Sequence, residues 1–270
     1  MANAGRFRST FSGKRALVTG ASSGIGEALA RRLAAEGCSL ILTARREDRL
    51  TRLAAELSGA HKVEADVIAL DLLEPGAVPD LKQRLDAENL VVDILINNAG
   101  FGYQGSFVDL EWDQINDLID LDIRAMTRMA HVFAKDMIAR GTKGMILNVG
   151  SIFSFGGVPQ YANYSGAKGY VLNFSESLTE ELRPHGIGVT MLGPGITRTE
   201  FFDTANDGVA PKGTANIMQT ADEVAACGVA ALAKGKAVAV SGRLYRAITF
   251  ARRLVPRRVA VVAWTPPPEA

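Results

Sequence analysis

Two cysteines, Cys38 and Cys227, are all that the 270 residues contain. They have no metal-ligand spacing and cannot build a disulfide framework, so they read as small buried residues. The histidines His61, His131 and His185 are scattered, which argues against metal dependence. No run approaches the ~20 apolar residues that a membrane-spanning helix needs. The first dozen residues lack the apolar core of a secretion signal, so a reducing cytoplasm is the expected location. Charge of one sign is missing too: a formal net charge of +1 leaves no field to gather nucleic acid. No Pro/Gly/Ser-rich linker, internal repeat or low-complexity stretch divides the chain, which suits one domain.

What is present is apolar and periodic. Hydrophobic residues make up 47% of the chain, enough for a large core. Strand-like and helix-like segments alternate to about residue 240, the pattern of a parallel sheet covered on both faces. Strands are expected near 15–19, 38–43, 67–71, 92–97, 144–150, 187–192 and 236–240. The expected fold is α/β, a single-domain doubly wound parallel sheet of Rossmann type. Its body would span residues 13–242, after a flexible N-terminus at 1–12 and before a basic extension at 243–264 and a disordered tail at 265–270.

The first strand pattern, Arg15 to Thr19, runs into Gly20-Ala21-Ser22-Ser23-Gly24-Ile25-Gly26 and then a helical stretch from Glu27 to Glu36. Strand, glycine turn and helix are the context of a dinucleotide site. Bare glycines let backbone N–H groups approach a pyrophosphate, and the helix N-terminus favours its charge. The second strand ends in Ala44-Arg45-Arg46, with no acid before Glu47. An acid there would bind a ribose 2′-hydroxyl, whereas a guanidinium grips a 2′-phosphate, so NADP is favoured over NAD.

Tyr164 and Lys168 are four residues apart and share one helix face if the stretch is helical. An ammonium beside a phenol favours the phenolate, so the tyrosine pKa is expected to fall from about 10 toward working pH. Such a phenol gives and takes a proton during reaction. Tyr161 is a control, with Ser165 rather than lysine four residues on. Ser151 follows the apolar run 145–149 and places a hydroxyl at a strand's carboxyl end, where open α/β sheets bind ligands.

Together these segments resemble the short-chain dehydrogenase/reductase family, from about Arg15 to about Gly242. The resemblance rests on Thr19-Gly20-x-x-x-Gly24-x-Gly26, Asp71-Leu72, Asn97-Asn98-Ala99-Gly100, Ser151, Tyr164-x-x-x-Lys168 and Pro194-Gly195-Ile196-Thr197-Arg198-Thr199, in that order. It implies an NADP-dependent oxidoreductase acting on a small carbonyl or alcohol. Tyr164 would be the general acid/base, Ser151 would bond the substrate oxygen, and Lys168 would bind the nicotinamide ribose and depress the tyrosine pKa. The cofactor would lie against Gly20, Ser22, Ser23, Gly24, Ile25 and Gly26. Arg45, the better match, and Arg46 would serve its phosphate; Asp71 and Leu72 its adenine; Asn98, Ala99 and Gly100 the turn beside it; Pro194, Gly195, Thr197 and Thr199 its nicotinamide. One position departs: Leu121-Asp122-Ile123 carries aspartate where the family has an asparagine that anchors a water near the lysine. Asp122 would stabilise the Lys168 ammonium, offset part of its field on Tyr164, and so alter the pH response. A nucleotide-sensing protein without turnover is the second reading, with Asp122 in its favour.

The substrate is read as apolar, lipid-like or steroid-like, because Phe101, Phe153, Phe155, Phe201 and Phe202 could line a pocket and Glu200 to Thr220 is long enough for a lid. The basic stretch from Gly242 to Trp264, broken at Pro256, would cover the sheet edge, pack in a homodimer or homotetramer, or lie on an anionic membrane surface. Packing weighs more than membrane.

Overall fold

The structure is a computed structural model, which describes residues 5–201, 205 and 216–262. Seven parallel strands form the central sheet in the order β3-β2-β1-β4-β5-β6-β9. Their ranges are β1 Arg15–Thr19, β2 Ser39–Ala44, β3 Ala65–Ala69, β4 Ile94–Asn97, β5 Met145–Val149, β6 Gly188–Gly193 and β9 Val238–Val240. A separate two-residue pairing joins β7, Thr197–Arg198, to β8, Gln219–Thr220. The sheet is the doubly wound Rossmann form. The third strand lies two residues earlier than the apolar run 67–71 suggested, because Ala65 and Asp66 pair in register with Leu40 and Ile41.

Alternation along each strand divides the core in two. Ala16, Val18, Leu40 and Leu42 face α2 (Gly24–Ala35), α3 (Glu47–His61) and α8 (Ala221–Ala233), where they meet Leu29, Leu33, Leu50 and Val224. Leu17, Ile41, Leu95 and Ile146 face the other way, toward α4 (Ala77–Ala87), α6 (Met126–Ala139) and α7 (Ala162–Leu182), and meet Leu81, Met129, Phe133 and Leu182. The side chains of both layers are almost fully buried, so each leucine or phenylalanine contributes roughly 1.5–3 kcal/mol.

The N-terminus is a correction. Arg8–Phe11 form the short helix α1, the Phe11 side chain is fully buried against the first core layer, and Phe7 N–H donates to Glu36. Burial of one aromatic ring fixes a segment expected to be loose through residue 12; residues 1–4 lie outside the described residues. At the other end α9 (Arg243–Ala251) and α10 (Arg257–Val262) flank the break before Pro256. Tyr245 of α9 packs under Ile152 and Val240, so part of the basic extension belongs to the core. Leu244, Phe250, Leu254 and Val259 remain exposed. No helix among the described residues is long and apolar enough to cross a membrane.

Strand order reverses between β1 and β4, which pair with each other but lead to opposite edges of the sheet. A crevice must open there at the carboxyl ends, since the flanking connections leave in opposite directions.

Candidate active site

That crevice is a cleft of about 850 Å³, within the range of small-molecule and cofactor sites. It runs from the turn after β1, past the ends of β2 and β3, to the ends of β4, β5 and β6.

At one end the glycine turn is held against β4. The Thr19 hydroxyl accepts from the N–H groups of Asn98 and Ala99 at 2.9 and 3.0 Å, and Asn98 Nδ2 donates to the Thr19 carbonyl at 2.9 Å. Gly20 takes a φ of +64°, and a Cβ on Gly26 would overlap the Gly20 carbonyl and the Asn98 amide. Only glycine allows that approach of helix to strand. Gly20, Ser22, Ser23, Gly24 and Ile25 line the cleft, while Gly26 sits behind it as packing. A dinucleotide pyrophosphate fits this end: Gly20 and Gly24 leave the backbone approachable, and the turn opens on the N-terminus of α2.

Arg45 and Arg46 both line the cleft but are held differently. Arg45 is largely exposed and only 3.8 Å from Asp71. Arg46 instead turns onto the glycine loop. Its Nη2 donates to the Ser22 and Ser23 hydroxyls at 3.1 and 2.8 Å, and its Nη1 meets Glu200 at 2.8 Å. Arg49, which no sequence motif marks, meets the other Glu200 oxygen at 2.6 Å. Together they hold the Glu200 carboxyl down at about 2, Arg49 most strongly. Asp71 and Leu72 line the neighbouring wall beyond β3, and Asp71 caps the Leu73 N–H.

The other end is buried. Ser151 lies just past β5, where its hydroxyl accepts from Phe153 N–H at 3.1 Å and its own N–H donates to Ser154. One acceptor site is thereby used and the hydroxyl proton is left for the cleft. Tyr164 and Lys168 share the inward face of α7. The Lys168 ammonium stands 5.6 Å from the Tyr164 ring centre and donates to the Val149 carbonyl at 3.3 Å. Below them the buried side chains of Asn97, Asn148 and Ser175 hydrogen-bond in series, tying β4 and β5 to α7.

Asp122 lies behind Lys168, off the cleft surface. A π-helical turn, Asp120–Ala125, interrupts the helix between α5 (Trp112–Ile119) and α6 and carries the carboxylate inward. Its Oδ2 is 2.9 Å from Lys168 Nζ, with both side chains nearly or fully buried. The contact joins opposite charges at hydrogen-bonding distance away from water. The other oxygen accepts from Phe101 N–H at 3.2 Å. Gly100 permits this closeness, since a Cβ there would come 2.7 Å from Asp122.

These contacts overturn the expected direction for Tyr164. Burial pushes the phenol above its ordinary value; Lys168 pulls it down, Asp122 pushes it up again, and Ser151 pulls it down slightly. Desolvation outweighs one ammonium whose field a carboxylate partly cancels. For Lys168, burial disfavours the charge, but Asp122 and Tyr164 outweigh it and the pKa stands above its ordinary value. Burial raises Asp122 as well, against the pull of Lys168 and the Phe101 N–H.

Asn98, Ala99, Gly100, Pro194, Gly195, Thr197 and Thr199 line the strip between the two ends. The Thr197 hydroxyl is turned to the Gly195 carbonyl, while Thr199 accepts from Phe201 N–H. Phe101, Phe153 and Phe201 line the cleft, and Phe201 lies 5.5 Å from the Tyr164 ring. Phe155 does not line it. It packs under Met191 and Val240, because the turn after Ser151 points it into the core. Phe202 and most of the expected lid lie outside the described residues. Tyr161, the control, has its own place on this wall. It donates to Gln104 at 2.6 Å, stacks edge-on against Phe153, and is pushed up to about 12 by burial.

The family profile described as short chain dehydrogenase matches residues 14–210. The chain belongs to the short-chain dehydrogenase family. This short-chain dehydrogenase is 36% identical to "Nodulation protein G" of Rhizobium sp. (strain N33), over 86% of this chain and 94% of that protein. It is 32% identical to the 3-oxoacyl-[acyl-carrier-protein] reductase of Escherichia coli (strain K12), over 86% and 94%. Its fold superposes on a short-chain dehydrogenase from Sphingobium yanoikuyae solved in complex with NADPH. The TM-score is 0.76 at 31% identity, covering 95% of this chain and 98% of the other. Membership makes the chain an oxidoreductase that acts between CH–OH and C=O with a nicotinamide cofactor.

Proposed function

We propose that the chain reduces an apolar ketone or aldehyde, or oxidises the matching secondary alcohol, with NADP as cofactor. The observation that carries the reading is the shared wall: Ser151, Tyr164 and Lys168 line the same cleft as the glycine turn and Arg46. When bound, the nicotinamide supplies or takes the hydride. Gly20 to Ile25 and Asn98 to Gly100 would hold the dinucleotide, and Thr199 its carboxamide end. Ser151 donates to the substrate oxygen. Tyr164 donates beside it and passes its proton to that oxygen as negative charge develops, where the two donors act most strongly. Lys168 steadies the phenolate that remains, and Asp122 keeps Lys168 charged and in place. A raised Tyr164 pKa suits this direction, because the phenol stays protonated at working pH.

Arg46, rather than Arg45, is the residue for the 2′-phosphate, since it already lies on the Ser22 and Ser23 hydroxyls. Phe101, Phe153, Tyr161 and Phe201 line the cleft with aromatic rings, which supports an apolar or acyl-like substrate. The test is turnover of NADPH and NADH in parallel against aliphatic and aryl ketones, aldehydes and 3-oxoacyl thioesters. NADPH-dependent reduction of apolar substrates is expected. Equal or better turnover with NADH would remove the cofactor assignment, and reduction restricted to charged substrates would remove the substrate class.

A further inference from the structure

Three consecutive residues touch three different parts of the cleft. Thr199 lies over Gly24, where a Cβ would come 3.1 Å from the threonine methyl. Glu200 binds Arg46 and Arg49 through its two oxygens, at 2.8 and 2.6 Å. Phe201 stands 5.5 Å from the Tyr164 ring, and a Cβ on Gly102 would come 2.9 Å from it. One tripeptide, in the bend and turn just after β7, therefore touches both the arginines and the wall of the catalytic tyrosine.

The Glu200 carboxylate sits on the guanidinium that already holds the Ser22 and Ser23 hydroxyls. An arginine fork grips a carboxylate and a phosphate with the same geometry, so the two compete for it. All three side chains are about two-fifths exposed, which makes the carboxylate displaceable rather than sealed in. We propose that Glu200 is an internal competitor for the cofactor's 2′-phosphate, and that its displacement from Arg46 and Arg49 shifts Phe201 relative to Tyr164. Cofactor choice at one end of the cleft is thus coupled to the substrate wall at the other. The inference rests on the NADP reading of Arg46. It makes Glu200 a specificity-determining residue, not a catalytic one.

Calorimetric binding of 2′,5′-ADP and 5′-ADP to the wild-type chain and to Glu200→Gln tests this without turnover. Removing the competing charge should tighten 2′,5′-ADP about tenfold and leave 5′-ADP unchanged. Unchanged 2′,5′-ADP affinity, with 2′,5′-ADP still preferred to 5′-ADP in both proteins, would overturn the competitor and leave the NADP reading standing. No preference for 2′,5′-ADP in either protein would overturn the NADP reading, and the inference with it. Weaker 5′-ADP binding in the variant would make Glu200 a ribose ligand instead, which also overturns the proposal. The coupling has its own readout, because 2′,5′-ADP lacks the nicotinamide half. Amide exchange at Phe201 should quicken with 2′,5′-ADP and not with 5′-ADP. No change there would overturn the coupling.

Discussion

Two charged clusters stand at opposite ends of one cleft, and they obey different physics. Lys168–Asp122 is sealed in the protein, with side-chain exposures of 7% and 0%. Arg46 and Arg49 meet Glu200 at the rim, where about 40% of each side chain faces water. In the first, water cannot replace a lost partner, so the pair is a fixed element that sets the field around Tyr164. In the second, water and salt compete at every moment, so the pair contributes little stability and is free to exchange for a ligand. A contact drawn the same way is a structural commitment at one end and a replaceable occupant at the other.

The comparison breaks most sharply on removal of one cation from each pair. Lys168→Met leaves Asp122 buried without a counter-charge and should cost roughly 3–5 kcal/mol of stability. Arg46→Met should cost no more than about 1 kcal/mol. Urea unfolding of the two variants checks this, and equal losses would erase the distinction.

The next effect is on pH. Asp122→Asn removes a negative charge that raises Tyr164, so the phenolate becomes easier to form and the Tyr164 pKa falls. Reduction needs the protonated phenol, and its rate is lost as pH rises through that pKa. The alkaline limb of kcat/KM for reduction should therefore move to lower pH in Asp122→Asn. A superimposable profile would mean that the carboxylate does not act on the tyrosine. Glu200 behaves oppositely. Its folded pKa is depressed to about 2, so its contribution is present above the ordinary 4.5 and is lost only as pH falls through about 2. The rim pair is thus not a pH switch near neutrality, and Glu200→Gln should leave the same profile unmoved.

How far the two ends could be read in advance follows from the same contrast. Gly20, Gly24, Gly26, Ser151 and the Tyr164/Lys168 pair stand at fixed places after β1, at the start of α2, just past β5 and on α7, because burial and backbone geometry admit few alternatives. The doubly wound parallel sheet follows from strand-like and helix-like segments alternating along the chain, whereas the strand order comes only from the pairing in the fold. The choice between Arg45 and Arg46 turns on where β2 ends, at Ala44, and on one backbone turn beyond it. No spacing rule carries that. Glu200 is likewise invisible, since its partners lie more than 150 residues away in the chain. Tyr-x-x-x-Lys shows the nearby charge and hides the depth of burial, which is what raises the Tyr164 pKa. Leu121-Asp122-Ile123 gave the departure away, though not the π-helical turn that seats it.

The smallest effect is expected from salt. From low to moderate ionic strength the Arg46–Glu200–Arg49 contacts should weaken while Lys168–Asp122 does not. The urea midpoint of Lys168→Met relative to wild type should therefore stay constant across the range, and that of Glu200→Gln should converge on wild type. A salt-dependent gap for Lys168→Met would mean that water reaches the buried pair.

The most direct test of the account is the proton donor itself. Wild type and Tyr164→Phe would be compared for NADPH consumption with the best ketone, beside calorimetric binding of 2′,5′-ADP. A loss of about 10²–10⁴ in kcat with nucleotide binding intact is expected. Turnover within a fewfold of wild type in the variant would contradict it, and would move the acid from Tyr164 to another group on the wall.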